Sequence, residues 1–252
     1  MLLALAAALL TFAILFAGAL ATTAASLPTP VDVIYYSSLH TQAGEYLGAA
    51  AIGLLAWIAA TRPQVRILAG ALAATVALEG LLSMMQQPFL HACLAQAVCA
   101  GAITLVASSS PSNVQIIQDY GWPSLRSLSI LLPALISIQV GLGAAFRHGM
   151  LGLMPHVIGA MLVSLFILIV GSFVLQQCKD HKALAGAGRA LMVTTFVQVF
   201  LGLAVFTARS MPTQETEAIL VTAAAHVATG AALLGVSVVL GMQIRRNVVP
   251  KS

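Results

Sequence analysis

The chain has 252 residues, of which 60% are hydrophobic and only 7% charged, and its mean hydropathy is +1.00. Repeated apolar runs near the ~20 residues needed to cross a ~30 Å hydrocarbon core mark a polytopic helical membrane protein and leave no stretch for a soluble domain. The net charge of +4 reports topology and contact with anionic membrane lipid, and it does not imply a nucleic-acid partner.

Eight spans are expected in chain order: Leu2 to Ala25, Tyr36 to Thr61, Val65 to Met85, Pro88 to Ala107, Leu125 to Phe146, Leu151 to Leu175, Ala183 to Ala208, and Ala218 to Met242. The small residues of Ala21 to Ser26 raise a cleaved signal peptide as the alternative for the first run. That run has no basic n-region and is too long for an h-region, so it reads as a helix. With the N-terminus in the cytoplasm, Arg62, Arg66, Arg126, Lys179, Lys182, Arg189, Arg245, Arg246 and Lys251 all fall on that side, which is 9 of the 11 basic residues. Only Arg147 and Arg209 fall outside. Positive charge is retained on the cytoplasmic side, so the expectation is an integral protein of the inner (plasma) membrane with both termini cytoplasmic.

That orientation places one histidine near the outer end of each even span: His40, His91, His156 and His226. An ionisable residue inside a bilayer is costly and is by default a functional-site candidate. The chain also repeats itself from about Leu125. His40 and His156 open spans two and six, and His91 and His226 lie in spans four and eight. Ile138 to Gly143 in the fifth span is echoed by Val197 to Gly202 in the seventh, and more weakly by Leu78 to Leu82 in the third. Two tandem four-helix bundles of parallel topology follow, residues 1–108 and 125–252, joined by a Ser- and Pro-rich connection over 109–124.

Neutral imidazole is the commonest metal ligand, and haem iron takes axial ligands from opposite faces, so two histidines on two helices of one bundle can hold a haem. Residues four positions on share a helix face with each histidine; here they are Gly44, Ala95, Ala160 and Gly230, all small enough to pack against a porphyrin plane. Small residues also serve close helix packing in membranes, and a single intramembrane histidine is often only hydrogen-bonded to a neighbouring helix.

His148, beside Arg147 in an outer turn, reads as solvated or as a neighbour of haem propionates, and His181, within Cys178 to Lys182, reads as solvated. Glu45 and Glu79 are the acidic residues within spans. Glu79 stands where span seven has Gln198 and reads as a protonated hydrogen-bonding group or a functional acid, the structural role being favoured because nothing else titratable is predictable beside it; Glu45, one turn past His40, can orient something at the first site or face a neighbouring helix. Cys93 and Cys99 lie on faces ~240° apart, and with Cys178 they read as small packing residues, with no disulfide expected.

Two four-helix repeats with a histidine in each even span, the segment Gln139 to His148 followed by Pro155 to Ala160, and the His226 to Ala231 stretch together resemble the heme A synthase family of oxidase assembly proteins over nearly the whole chain. The resemblance implies that His156 and His226 ligate a b-type haem, with Arg147 and Arg209 toward its propionates. It also implies that His40 and His91 flank the substrate, haem O, whose methyl group is oxidised to the formyl group of haem A. A haem O synthase and a terminal oxidase are the partners it implies. The family's glutamate three residues before the first histidine is here Ser37 and its following arginine is Thr41, while the first outer loop lacks the cysteine pair of many members. These departures make Glu45 the substitute acid, and they keep a second class in play: a haem-binding electron-transfer or assembly subunit with no reaction of its own.

Overall fold

A computed structural model of the chain describes residues 1–27, 32–110, 114–119, 123–211 and 216–250. All eight expected spans are present as helices long and apolar enough to cross a membrane: α1 (Leu2–Ala24), α2 (Val33–Thr61), α3 (Pro63–Met84), α4 (Pro88–Ser108), α5 (Leu125–Arg147), α6 (Leu153–Gln177), α7 (Lys182–Ser210) and α8 (Thr216–Asn247). In a bilayer a helix satisfies its own backbone, which is why apolar runs of this length resolve to one secondary structure. The largest departure from expectation is at the end of α8, which runs to Asn247 instead of Met242, because no helix breaker intervenes before Pro250.

α2 is not uniform. Its helix is interrupted by a π-helical turn, Ala43–Leu47, immediately after His40, and such π-bulges are frequent at functional sites. Two of the turns are built alike. α5 ends with Met150 N–H donating to Ala145 O and Gly149 N–H to Phe146 O, with Gly149 at φ 69°, a Schellman cap. α3 ends in the same pattern, Gln87 N–H to Leu82 O and Gln86 N–H to Ser83 O, with Gln86 at φ 53°. Glycine takes that conformation freely, whereas a glutamine there costs roughly 1–2 kcal/mol.

Packing follows the chain. α1 touches α2 and α4, α2 touches α3, and α3 touches α4. In the second half α5 touches α6 and α8, α6 touches α7, and α7 touches α8. α8 also lies against α1 and α4, so it is the helix on which both halves meet. Small residues allow this: a Cβ on Gly235 would lie 3.1 Å from the Ala100 backbone, and one on Gly241 would lie 2.7 Å from Ser129 O. Without a hydrophobic drive between helices in lipid, such close backbone approach is the main source of association. One apolar cluster gathers Ala4, Leu55, Leu72 and Leu105, a second gathers Leu132, Ile167, Leu191 and Leu240, and Leu15, Ala95, Cys99 and Ala231 form a third across the seam.

At the other end from the histidines, the connection between the halves is pinned. Ile117–Gln118 pair in parallel with Val248–Val249, beyond α8. Gln115 N–H donates to Asn247 Oδ1 at 2.9 Å, and the Arg126 guanidinium donates to Val248 O at 2.7 Å. Asp119, buried, accepts from the Ser124 hydroxyl and from the Leu125 and Arg126 N–H groups, so its carboxylate satisfies the first free donors of α5. His181 corrects its expectation as a solvated residue. It is 5% exposed, its Nδ1 accepts from Leu184 N–H at the start of α7, and its Nε2–H donates to Gln115 O. The charged neighbours Lys179, Asp180 and Lys182 disguise a helix cap. Cys93, Cys99 and Cys178 are free thiols; Cys99 and Cys178 are buried, and burial raises the Cys178 thiol above its ordinary value, with Asp119 adding to the effect.

Candidate functional site: two histidine pairs

Each even span carries its histidine against the preceding odd span. His91 Nδ1 lies 3.2 Å from the carbonyl of Glu79 in α3, and His226 Nδ1 lies 3.1 Å from the carbonyl of Gln198 in α7. His156 meets Gln139 of α5, whose amide nitrogen is 2.9 Å from both its Nδ1 and its carbonyl oxygen. His40 faces the carbonyl of Ile14 in α1 without closing a hydrogen bond of normal geometry, so its buried Nδ1 is left unpartnered.

Ile14, Glu79, Gln139 and Gln198 therefore hold one equivalent position. A helical carbonyl already accepts from the N–H four residues on, yet keeps a second lone pair. The side chain at that fourth residue shields it. In three of the four helices that residue is glycine, and the histidine ring rests in the gap: a Cβ on Gly18 would lie 2.8 Å from His40 Cε1, one on Gly143 3.0 Å from His156 Cε1, and one on Gly202 3.0 Å from His226 Cε1. In α3 the position is Ser83. These seats were missed from sequence, where small residues were sought four places after each histidine on its own helix. Of those, Gly44 has nothing within 4 Å of its Cβ direction, while Gly230 is the floor on which the amides of Gln198 and Gln96 meet, 3.2 Å and 3.4 Å from a Cβ there. The spacing Gln139 to Gly143, repeated as Gln198 to Gly202, was the available signal.

The seats bring the rings together in pairs. His40 and His91 have ring centroids 5.8 Å apart with planes at 59°; His156 and His226 are 6.3 Å apart with planes at 86°. The pairing expected from sequence is the pairing observed. No group of three or more His, Cys, Asp or Glu side chains able to hold a bare metal ion occurs among the described residues, so each site offers two imidazoles and not a cage.

The acidic candidates divide. Glu45 lies exposed on the π turn and Ser37 lies exposed on α2; among the described residues no hydrogen bond or ion pair joins either to a histidine ring. Glu79 is the carboxylate at the site. It is 9% exposed, and its Oε1 lies 3.6 Å from His91 Nδ1. Nothing titratable is predictable beside it from sequence alone, and the fold supplies His91.

Arg147 and Arg209 converge on the end of α1. Arg147 Nη2 donates to Ala19 O at 3.1 Å and is 3.5 Å from Thr23 Oγ1, while Arg209 Nη2 donates to Ser26 Oγ at 2.9 Å. Cations suit the negative end of a helix dipole. His148 caps α5 beside them; partial burial first, then Arg147 and His91, hold its imidazole below the ordinary histidine value.

Three buried side-chain polar atoms lack a hydrogen-bond partner among the described residues: His40 Nδ1, Gln139 Oε1 and Gln198 Oε1. All three belong to these two clusters. Neither a family model nor a curated protein matches the chain.

Proposed function

We propose that the chain is a membrane haem protein built as two tandem four-helix bundles, with a haem held between His40 and His91 in the first and a b-type haem between His156 and His226 in the second. The observation that carries this is that in each half two histidines from different helices bring their rings together, with centres 5.8 Å and 6.3 Å apart. The distances agree. Two imidazoles would hold one metal between them with ring centres roughly 6.3 Å apart, given a metal–imidazole bond of about 2.0–2.1 Å and a ring centre about 1.1 Å behind the nitrogen. The second pair stands at 6.3 Å, and the first, at 5.8 Å, is about half an ångström closer.

When bound, haem supplies one-electron chemistry. The chain's own residues do the rest. The carbonyls of Glu79 and Gln198 accept from Nδ1–H of His91 and His226, which leaves the lone pair on Nε2; at His226 that nitrogen faces the Gln198 side-chain amide nitrogen at 3.3 Å, a contact a bound metal would replace. Arg147 and Arg209, both anchored at the end of α1, suit a pair of carboxylates such as haem propionates. With nine basic residues toward the termini and two at the histidine end, both termini lie in the cytoplasm and both pairs toward the outer face of the plasma membrane.

The reaction this supports is that of the heme A synthase family: haem O as substrate at the first pair, its methyl group oxidised to the formyl group of haem A, with a haem O synthase and a terminal oxidase as partners. The exposure of Glu45 and Ser37 favours the second reading, a haem-binding electron-transfer or assembly subunit, since no acid stands where the family has its glutamate. Purification from membranes followed by mass analysis of the extracted haems separates them. Haem O together with haem A or a hydroxylated intermediate establishes the enzyme; b-type haem alone establishes the carrier; and no haem in a folded protein overturns both.

A further inference from the structure

We propose that Glu79 is a positioning residue that makes the first pair electronically unlike the second, lowering the reduction potential of the haem held there; this rests on the reading of the pairs as haem ligands. The four equivalent positions that face the histidines carry Ile14, Glu79, Gln139 and Gln198. At two of them, Glu79 and Gln198, the backbone carbonyl accepts from the ring, and there the side chains differ. The two second-half positions present amides, which donate as well as accept and so tolerate either tautomer of the ring. A carboxylate only accepts. The Glu79 backbone carbonyl, 3.2 Å from Nδ1, holds the proton there, and Oε1, 3.6 Å from the same Nδ1, places the side-chain acid at ion-pair distance from the ring.

Carboxylate–imidazole–metal arrangements raise the basicity of the ligand, and a more basic ligand beside negative charge stabilises the oxidised metal over the reduced one. Of the other buried acids described, Asp119 is accounted for by its cap on α5. Glu79 has no such duty. Its other surroundings are the apolar side chains Val76 and Val98 and the hydroxyl of Thr11, around a water-sized cavity.

The test is a spectroelectrochemical titration of the purified, haem-loaded protein at one fixed pH, with the two steps assigned by His40→Ala and His226→Ala, each of which removes one. Glu79→Gln is expected to shift the first-half step toward the reduced form by about tenfold, a rise of about 59 mV for a one-electron couple, and to leave the second-half step in place. The reciprocal transplant, Gln198→Glu, is expected to move the second-half step the opposite way. Should Glu79→Gln lose the first haem, the transplant decides: a lowered second-half step supports the proposal, and an unmoved one overturns it. Loaded proteins whose steps stay put in both variants refute the proposal alone. A haem-free wild-type protein refutes the ligand reading, and the proposal with it.

Discussion

The glycine seats under the rings lend themselves to a sharp perturbation. In Gly202→Ala the new methyl lies 3.0 Å from His226 Cε1, and in Gly143→Ala it lies 3.0 Å from His156 Cε1, so each ring must retreat by about 0.4 Å to regain contact near 3.4 Å. For His226 that retreat takes the 3.1 Å contact with Gln198 O to the edge of hydrogen bonding, a loss of about 0.5–1.5 kcal/mol. Alanine repays about 1 kcal/mol of helix propensity over glycine. Net stability should therefore barely change, while the ligand is displaced and the low-spin haem spectrum of the second pair is lost or broadened. Gly141→Ala is the control, two residues from Gly143 on the same helix with nothing within 4 Å of its Cβ. It gains the propensity without touching a ring. Thermal unfolding in detergent and the optical spectrum, measured side by side, give the answer. If Gly143→Ala and Gly202→Ala keep the wild-type spectrum as Gly141→Ala does, the glycines do not position the rings and the seat argument fails.

Asp119→Ala removes three acceptor contacts at the start of α5 and leaves the buried Leu125 N–H unsatisfied, which should cost about 1–3 kcal/mol; a melting temperature equal to wild type would show that the cap contributes nothing. His148 is held below its ordinary value by burial and by Arg147 and His91. Below about pH 6.5 the unfolded chain therefore binds a proton that the folded protein refuses, and stability falls as pH drops through that window. His148→Gln should flatten the decline in melting temperature between pH 8 and pH 5.5, and a slope identical to wild type would remove His148 as its source. Both termini are expected in the cytoplasm, so a reporter fused after Ser252 that is active only outside the membrane would overturn the orientation and the outward placement of the arginines with it.

Hydropathy made the spans legible because a bilayer leaves the chain one answer for an apolar run of this length. It could not locate their ends. α8 continues through Gln243 to Asn247, whose side chain accepts from Gln115 N–H in the connection between the halves. His181 was misread for a related reason. Flanked by Lys179, Asp180 and Lys182, it looks solvated in one dimension, and only the folded strap from Gln115 to Asp119 encloses it. Arg147 and Arg209 stood out as the basic residues of the histidine end, but their contacts with Ala19, Thr23 and Ser26 depend on where α1 stops, which no pattern in those residues announces.

The histidine pairing was legible because the chain states it twice, whereas the seats were hidden by where a side chain points. A histidine on one helix is positioned by the helix it faces, so the informative spacing lies in the partner helix, between a carbonyl and the residue that would cover it. Inside a bilayer backbone carbonyls are the fixed acceptors within reach of an imidazole N–H, and each is already engaged within its own helix. A fourth residue without a side chain leaves room for the ring over that carbonyl, which ties Gly18, Gly143 and Gly202 to Ile14, Gln139 and Gln198 by geometry. α3 breaks the rule. With Ser83 in the glycine's place, His91 still reaches Glu79 O at 3.2 Å, and there alone the equivalent side chain is a carboxylate, 3.6 Å from the ring. A site whose backbone seat is encumbered and whose side chain carries a second acceptor differs in kind from its three counterparts. That difference falls in the half where the reaction would take place.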